Sequence, residues 1–122
     1  MGKFVMTKRL TGEYQFNLKS KNGLVILISE GYTTKANCEA GIESVKRFSQ
    51  YDSHFERRVS KDRKIYFNLL ASNGQVIGTS QRYGSDFACD KGIASVRHNA
   101  ADSTIDDKTN SRLAMRYSPS SL

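Results

Sequence analysis

The chain says the same thing twice. Shifted by 51 residues, Phe16-Asn17-Leu18 falls on Phe67-Asn68-Leu69, Asn22-Gly23 on Asn73-Gly74 and Cys38 on Cys89. Gly41-Ile42-Glu43-Ser44-Val45 falls on Gly92-Ile93-Ala94-Ser95-Val96. From Phe4/Phe55 to Phe48/Asn99, 15 of 45 aligned positions are identical, far above chance. A tandem duplication constrains the architecture before any element is assigned, because both copies must adopt one local fold. A repeat of about 50 residues buries only a thin core alone. The expectation is therefore one domain over residues 1–107, built from repeats 1–50 and 51–107 that stabilise each other.

Each repeat reads as strands followed by one helix. Phe4–Lys8, Tyr14–Lys19 and Leu24–Glu30 have strand composition, as do Ile65–Leu70 and Gln75–Gln81. Asn22-Gly23 and Asn73-Gly74 predict type I′ hairpin turns, in which both central residues take positive φ. Such a turn sets Leu18 opposite Leu27 and Phe16 opposite Ser29. Tyr14, Phe16, Leu18, Val25 and Leu27 then share the core face, matched by Ile65, Phe67, Leu69, Ala71 and Val76. The other face carries Gln15, Asn17, Lys19, Ile26 and Ile28, and in the second repeat Tyr66, Asn68, Leu70, Ile77 and Thr79. A solvated face would be more polar. It reads as covered by the protein's own terminal segments or as a contact surface, with Asn17, Ile28, Asn68 and Ile77 as candidate contacts.

Helices are predicted over Thr34–Arg47 and Ser85–His98, with Thr34 and Ser85 as N-caps. Cys38, Ile42, Val45 and Phe48 recur at helical spacing, as do Cys89, Ile93 and Val96. Gly41 and Gly92 each cost about 1 kcal/mol in a helix interior relative to Ala. The same cost at the same place twice implies close approach of a strand or the partner helix. Gln50–Val59 is expected to be a bridging strand, last of one repeat and first of the next. Ser103–Asp106 is the expected final strand. Beyond it, residues 108–122 read as a disordered Ser-rich tail.

Phe-Asn-Leu followed by Asn-Gly, Ser-x-x-Tyr after the third strand, and Gly-Ile-x-Ser-Val in the helix together resemble the YegP-like family of small bacterial and archaeal proteins. The resemblance covers roughly residues 3–107. It implies an α+β fold: two β3-α(-β) repeats related by pseudo-twofold symmetry, sharing one mainly antiparallel sheet with exchanged terminal strands and both helices on one face. The family supplies no activity and no catalytic residues.

The residues themselves exclude most chemistry. His54 and His98 stand opposite Lys3 and Arg47 in the repeat alignment, so neither is a duplicated position. Cys38 and Cys89 fall on the apolar helix stripe, where a thiol packs as a small hydrophobe. No metal-ligand spacing, phosphate loop or paired acid and base is present. The chain is expected to be a non-enzymatic interaction module without a cofactor. No run of apolar residues could span a membrane. Free thiols and the lack of a secretory signal suggest the cytoplasm. Two units in one chain suggest a monomer. The formal net charge of +7 leaves nucleic acid as the alternative partner. Arg57, Arg58, Arg63 and Lys64 crowd the opening of repeat two beside Tyr66, and single-strand binders combine charge with a stacking ring in this way.

Overall fold

The computed structural model describes residues 2–110. The first repeat forms β1 (Lys3–Lys8), β2 (Tyr14–Lys19), β3 (Val25–Ile28) and α1 (Lys35–Phe48). The second forms β4 (Phe55–Val59), β5 (Ile65–Leu70), β6 (Val76–Thr79), α2 (Asp86–Ala100) and β7 (Thr104–Asp107). The seven strands make one sheet in the order β4-β5-β6-β3-β2-β1-β7. All neighbours are antiparallel except β7, which crosses to the other repeat and lies parallel to β1. At the centre Ile28 pairs with Thr79, its own counterpart 51 residues on. A residue that pairs with its repeat mate places the local twofold axis between β3 and β6.

Both helices cover one face. Each straddles the axis: α1 packs on β2, β5 and β6, and α2 on β2, β3 and β5. Phe4, Phe16, Leu18, Leu27, Phe67 and Leu69 from the sheet meet Cys38, Ile42, Val45, Cys89, Ile93 and Val96 from the helices. Each large side chain so buried contributes about 1.5–3 kcal/mol. Edge-to-face aromatic pairs recur in both halves, Phe4 on Phe16 at 5.6 Å and Phe55 on Phe67 at 5.5 Å. The expected caps are made. Thr34 Oγ1 accepts from the Asn37 N–H and Ser85 Oγ from the Ala88 N–H, each at 3.1 Å.

The helix glycines do face a close neighbour, and it is neither a strand nor a helix. A methyl group on Gly41 would strike the hydroxyl and Cζ of Tyr32; on Gly92 it would strike the same atoms of Tyr83. Each tyrosine ring stacks on the core phenylalanine of its repeat, Tyr32 on Phe16 and Tyr83 on Phe67. The serine of each Ser-x-x-Tyr motif closes a strand pair: Ser29 Oγ accepts from the Phe16 N–H at 2.9 Å, and Ser80 Oγ from Phe67 at 3.0 Å.

The hairpins differ from the expected type I′ turns. In the first, the Gly23 N–H donates to the Ser20 carbonyl, and among the turn residues only Gly23 has positive φ, at +86°. The second repeats this with Gly74 and Ala71. Each is a three-residue loop, Lys21–Gly23 in the first, which pairs Ser20 with Leu24 and Lys19 with Val25; a bulge then restores Leu18 opposite Leu27. A bulge puts two consecutive side chains on one side. Ile26 therefore joins Leu27 in the core, and Ile77 likewise turns to the helix side.

Gln50–Val59 is not one bridging strand. Asp52–His54 forms a turn of 3-10 helix, and Phe55–Val59 pairs with β5 alone. The Phe55 N–H is spent on the Asp52 carbonyl inside that turn. The exchange of terminal strands thus runs one way, through β7. The Ser-rich tail expected from residue 108 lies outside the described residues except for 108–110, where Thr109 is buried and hydrogen-bonded to Asp107.

Candidate functional site

The sheet face opposite the helices has no covering element among the described residues. One row of directly registered residues crosses it, one from each strand: Glu56, Asn68, Thr79, Ile28, Asn17, Val5 and Asp106. The inner six positions are repeat mates in pairs about the twofold axis, Glu56 with Val5, Asn68 with Asn17 and Thr79 with Ile28, and Asp106 stands outside them. The surroundings of the two asparagines have diverged.

In the second repeat Asn68 is fully engaged. Its Nδ2 donates to Glu56 Oε1 at 3.3 Å, and its Oδ1 accepts from Thr79 Oγ1 at 2.8 Å. In the first repeat Val5 replaces the glutamate and Ile28 the threonine. Asn17 Oδ1 is buried and has no hydrogen-bond partner, alone in that respect among the described side chains. An orphaned buried acceptor costs about 1–3 kcal/mol. Beside it Val5 is buried at 8% exposure, while Ile28 stands 45% exposed at the middle of the face. The first repeat thus carries an unsatisfied buried acceptor beneath an exposed apolar side chain at the middle of the face.

Of the four sheet-face candidates, Asn17, Ile28 and Asn68 therefore lie in one row. Ile77 does not. The bulge sends it to the floor of a cleft between α1 and the β5–β6 turn, lined also by Tyr32, Gly41, Ala71 and Val76. A matching cleft lies between α2 and the β2–β3 turn, with Ile26 at the corresponding place. Asn99 ties that second cleft, accepting from the Lys21 N–H at 3.1 Å.

The basic segment is divided by strand alternation. Arg57 points to the helix side, where its guanidinium contacts Asp90 at 2.9 Å. Arg58 lies on the helix-free face opposite Tyr66 and pairs with Glu56 at 3.5 Å. Tyr66 lines a shallow hollow with Val59, Ser60, Lys61, Asp62 and Arg82. Arg63 and the exposed Lys64 occupy the β4–β5 turn, and Arg63 is held at φ 64°. The first repeat has Gly12 at that position.

Neither core thiol is poised as a nucleophile. Burial pushes the Cys38 thiol up to about 11 and raises that of Cys89, the opposite of what a reactive thiolate needs. His54 stacks on Phe48 at 4.6 Å with its Nδ1 on the Leu70 carbonyl at 2.7 Å, a packing role. No group of metal-ligating residues occurs among the described residues, and no described helix is long and apolar enough to cross a membrane.

Two β3-α units on one sheet, with a core repeated in both halves and a face that differs between them, define a tandem-repeat α+β protein. The chain belongs to the YegP-like UPF0339 family. The family model described as "Domain of unknown function (DUF1508)" matches it twice, at residues 11–56 and 60–107. A UPF0339 protein of Acinetobacter baylyi is 48% identical over 108 residues, covering 88% of this chain and 97% of that protein. The UPF0339 protein YegP of Escherichia coli K12 is 41% identical over 108 residues, covering 88% and 98%. The solution NMR structure of E. coli YegP superposes with a TM-score of 0.86 at 40% identity, covering 91% of this chain and 96% of that one. That of a UPF0339 protein from Shewanella oneidensis gives 0.86 at 44% identity, covering 91% and 94%.

Proposed function

We propose that the chain is a non-enzymatic interaction module, acting as a cytoplasmic monomer, and that it holds its partner on the helix-free face of the sheet. The reading rests on one observation, Ile28 exposed at the middle of the uncovered face, where the first repeat has lost the polar pairing that Thr79 and Glu56 give Asn68. A fold that repeats its satisfied core in both halves and leaves one acceptor open on one half has a reason to differ there. The test is quantitative capture from cell extract with three baits: the native chain, Ile28→Asp, and Glu43→Gln on the exposed face of α1. The expected result is a protein retained by the native chain and Glu43→Gln and lost by Ile28→Asp. Equal capture by all three would remove the face from consideration.

A second reading, single-stranded nucleic acid, draws on Arg58 beside Tyr66 with Arg63 and Lys64 in the adjoining turn. Arg57 does not belong to that surface. Binding of labelled oligonucleotides should fall steeply as salt rises. A flat salt response, or no binding at low salt, would dismiss it.

A further inference from the structure

We propose that the outer edge of β4 is an acceptor slot for an extended acidic segment of a partner, paired parallel to β4 as β7 is paired to β1. The inference rests on the interaction-module reading and names a second surface with its own partner chemistry.

The duplication supplies two equivalent strand edges and one strand to fill them. β1 and β4 are repeat mates, each first in its unit and each antiparallel to the strand after it. The outer edge of β1 is occupied by β7. The outer edge of β4 pairs with no strand among the described residues. On β1 the Met6 carbonyl accepts from the Lys108 N–H at 2.8 Å. The corresponding carbonyl is that of Arg57. Because a strand residue directs its N–H and C=O to the same side, Arg57 and Val59 present donor and acceptor groups to the free edge. Unpaired groups of this kind take up added strands. The 3-10 turn already satisfies the Phe55 N–H, so the open donors begin at Arg57.

The side chains at the slot specify the guest. Ile105 of β7 lies beside Phe4, so an apolar residue belongs beside Phe55. Asp107 of β7 lies beside Met6, whose counterpart Arg57 already holds Asp90, and the next position faces Arg58. Five basic residues, Arg57, Arg58, Lys61, Arg63 and Lys64, stand on β4 and its turn against Glu56 and Asp62. The segment that fits carries an apolar residue beside Phe55 and its acidic charge from the position facing Arg58 onward. A second copy of the chain fits less well: a twofold antiparallel pairing of two β4 edges centred on Arg57 sets the two Arg57 side chains opposite each other, and like charges across a strand pair are destabilising.

The experiment titrates the whole chain with a fluorescein-labelled peptide Ser-Thr-Ile-Thr-Glu-Glu-Ser, and with the same peptide carrying Lys for both Glu. Anisotropy reports binding, and amide NMR shifts locate it. Saturable binding of the acidic peptide is expected, with the largest shifts at residues 56–60. It should weaken at least about tenfold in Arg58→Glu. Arg57→Pro removes an N–H that faces the free edge, where proline is tolerated, and should weaken binding similarly. Equal binding of the Lys peptide, absence of saturable binding, or unchanged affinity in Arg58→Glu would overturn the proposal. So would concentration-dependent dimerisation that protects the β4 amides. Shifts confined to residues 15, 17, 19 and 28 would overturn the edge slot while leaving the sheet-face reading intact. Binding at β4 together with equal lysate capture by Ile28→Asp would do the reverse.

Discussion

The side chain of Leu27 reaches to within 2.6 Å of the point where a side chain on Gly78 would begin. The two residues are repeat mates beside the local twofold axis. Two leucines there would collide and two glycines would leave a void, so the halves complement each other by differing. A chain with both units in one sequence can adopt that solution. Gly78→Leu should destabilise by about 1–3 kcal/mol through overpacking, and Leu27→Gly by at least about 3 kcal/mol through the cavity. The exchange of both residues should recover a large part of the summed loss in a double-mutant cycle. Strictly additive losses would show that the two sites do not share one space.

Asn17 and Asn68 make the second prediction. Thr79→Val orphans Asn68 Oδ1 and should cost about 1–2 kcal/mol. Ile28→Thr gives Asn17 Oδ1 the donor that Thr79 gives Asn68, and should be neutral or stabilising despite loss of apolar area. Urea denaturation of both variants checks this. A loss from Ile28→Thr as large as that from Thr79→Val would mean the row is not governed by hydrogen-bond satisfaction.

Arg63 occupies the left-handed region in a turn where its mate is Gly12 at φ +93°. A side chain in that conformation costs about 1–2 kcal/mol, offset in part by glycine's greater chain entropy. Arg63→Gly should raise the melting temperature, and Gly12→Arg should lower it. The same pair of variants separates stability from binding: if the αL arginine serves a contact, Arg63→Gly weakens binding of the acidic peptide while it stabilises the fold.

The exchanged strand is pinned electrostatically. Lys35 at the start of α1 contacts Asp107 of β7 at 2.6 Å. This contact, with the hydrogen bonds from Thr109, holds the Asp107 carboxyl down at about 2. A depressed carboxylate stabilises the fold above its unfolded value near 4, and the contribution is lost as pH falls from about 4 towards 2. Both side chains are more than a third exposed, so the effect is small, on the order of 0.5 kcal/mol. Asp107→Asn should flatten the stability profile between pH 4 and 2 and leave it unchanged in shape above pH 5. An identical acid limb in both proteins would contradict the assignment.

Repetition and hydrophobic alternation made most of the fold readable in advance. Tyr14–Lys19, Ile65–Leu70 and both N-caps follow from local chemistry that tertiary packing leaves alone. Leu18 falls opposite Leu27 with either turn, because the extra loop residue and the bulge cancel. The same bulge moved Ile26 and Ile77 to the helix side, and strand alternation alone cannot register an inserted residue. Gly41 and Gly92 announced a close neighbour, but Tyr32 and Tyr83 as that neighbour depend on how the segment after β3 and β6 folds back. The Asn17 asymmetry was present in the alignment as Val5 against Glu56 and Ile28 against Thr79. Its meaning required the strand order that puts all four residues in one row.

Central to this account is that the repeats form one cooperative unit, joined through β3–β6, the straddling helices and the exchange of β7. The direct measurement is urea unfolding followed amide by amide by NMR in the full chain, beside the isolated first half, residues 1–50. One midpoint shared by amides in 3–48 and 55–100, with a poorly dispersed spectrum from the isolated half, is the predicted result. Two separate midpoints, or a well-dispersed monomeric spectrum from residues 1–50, would contradict it.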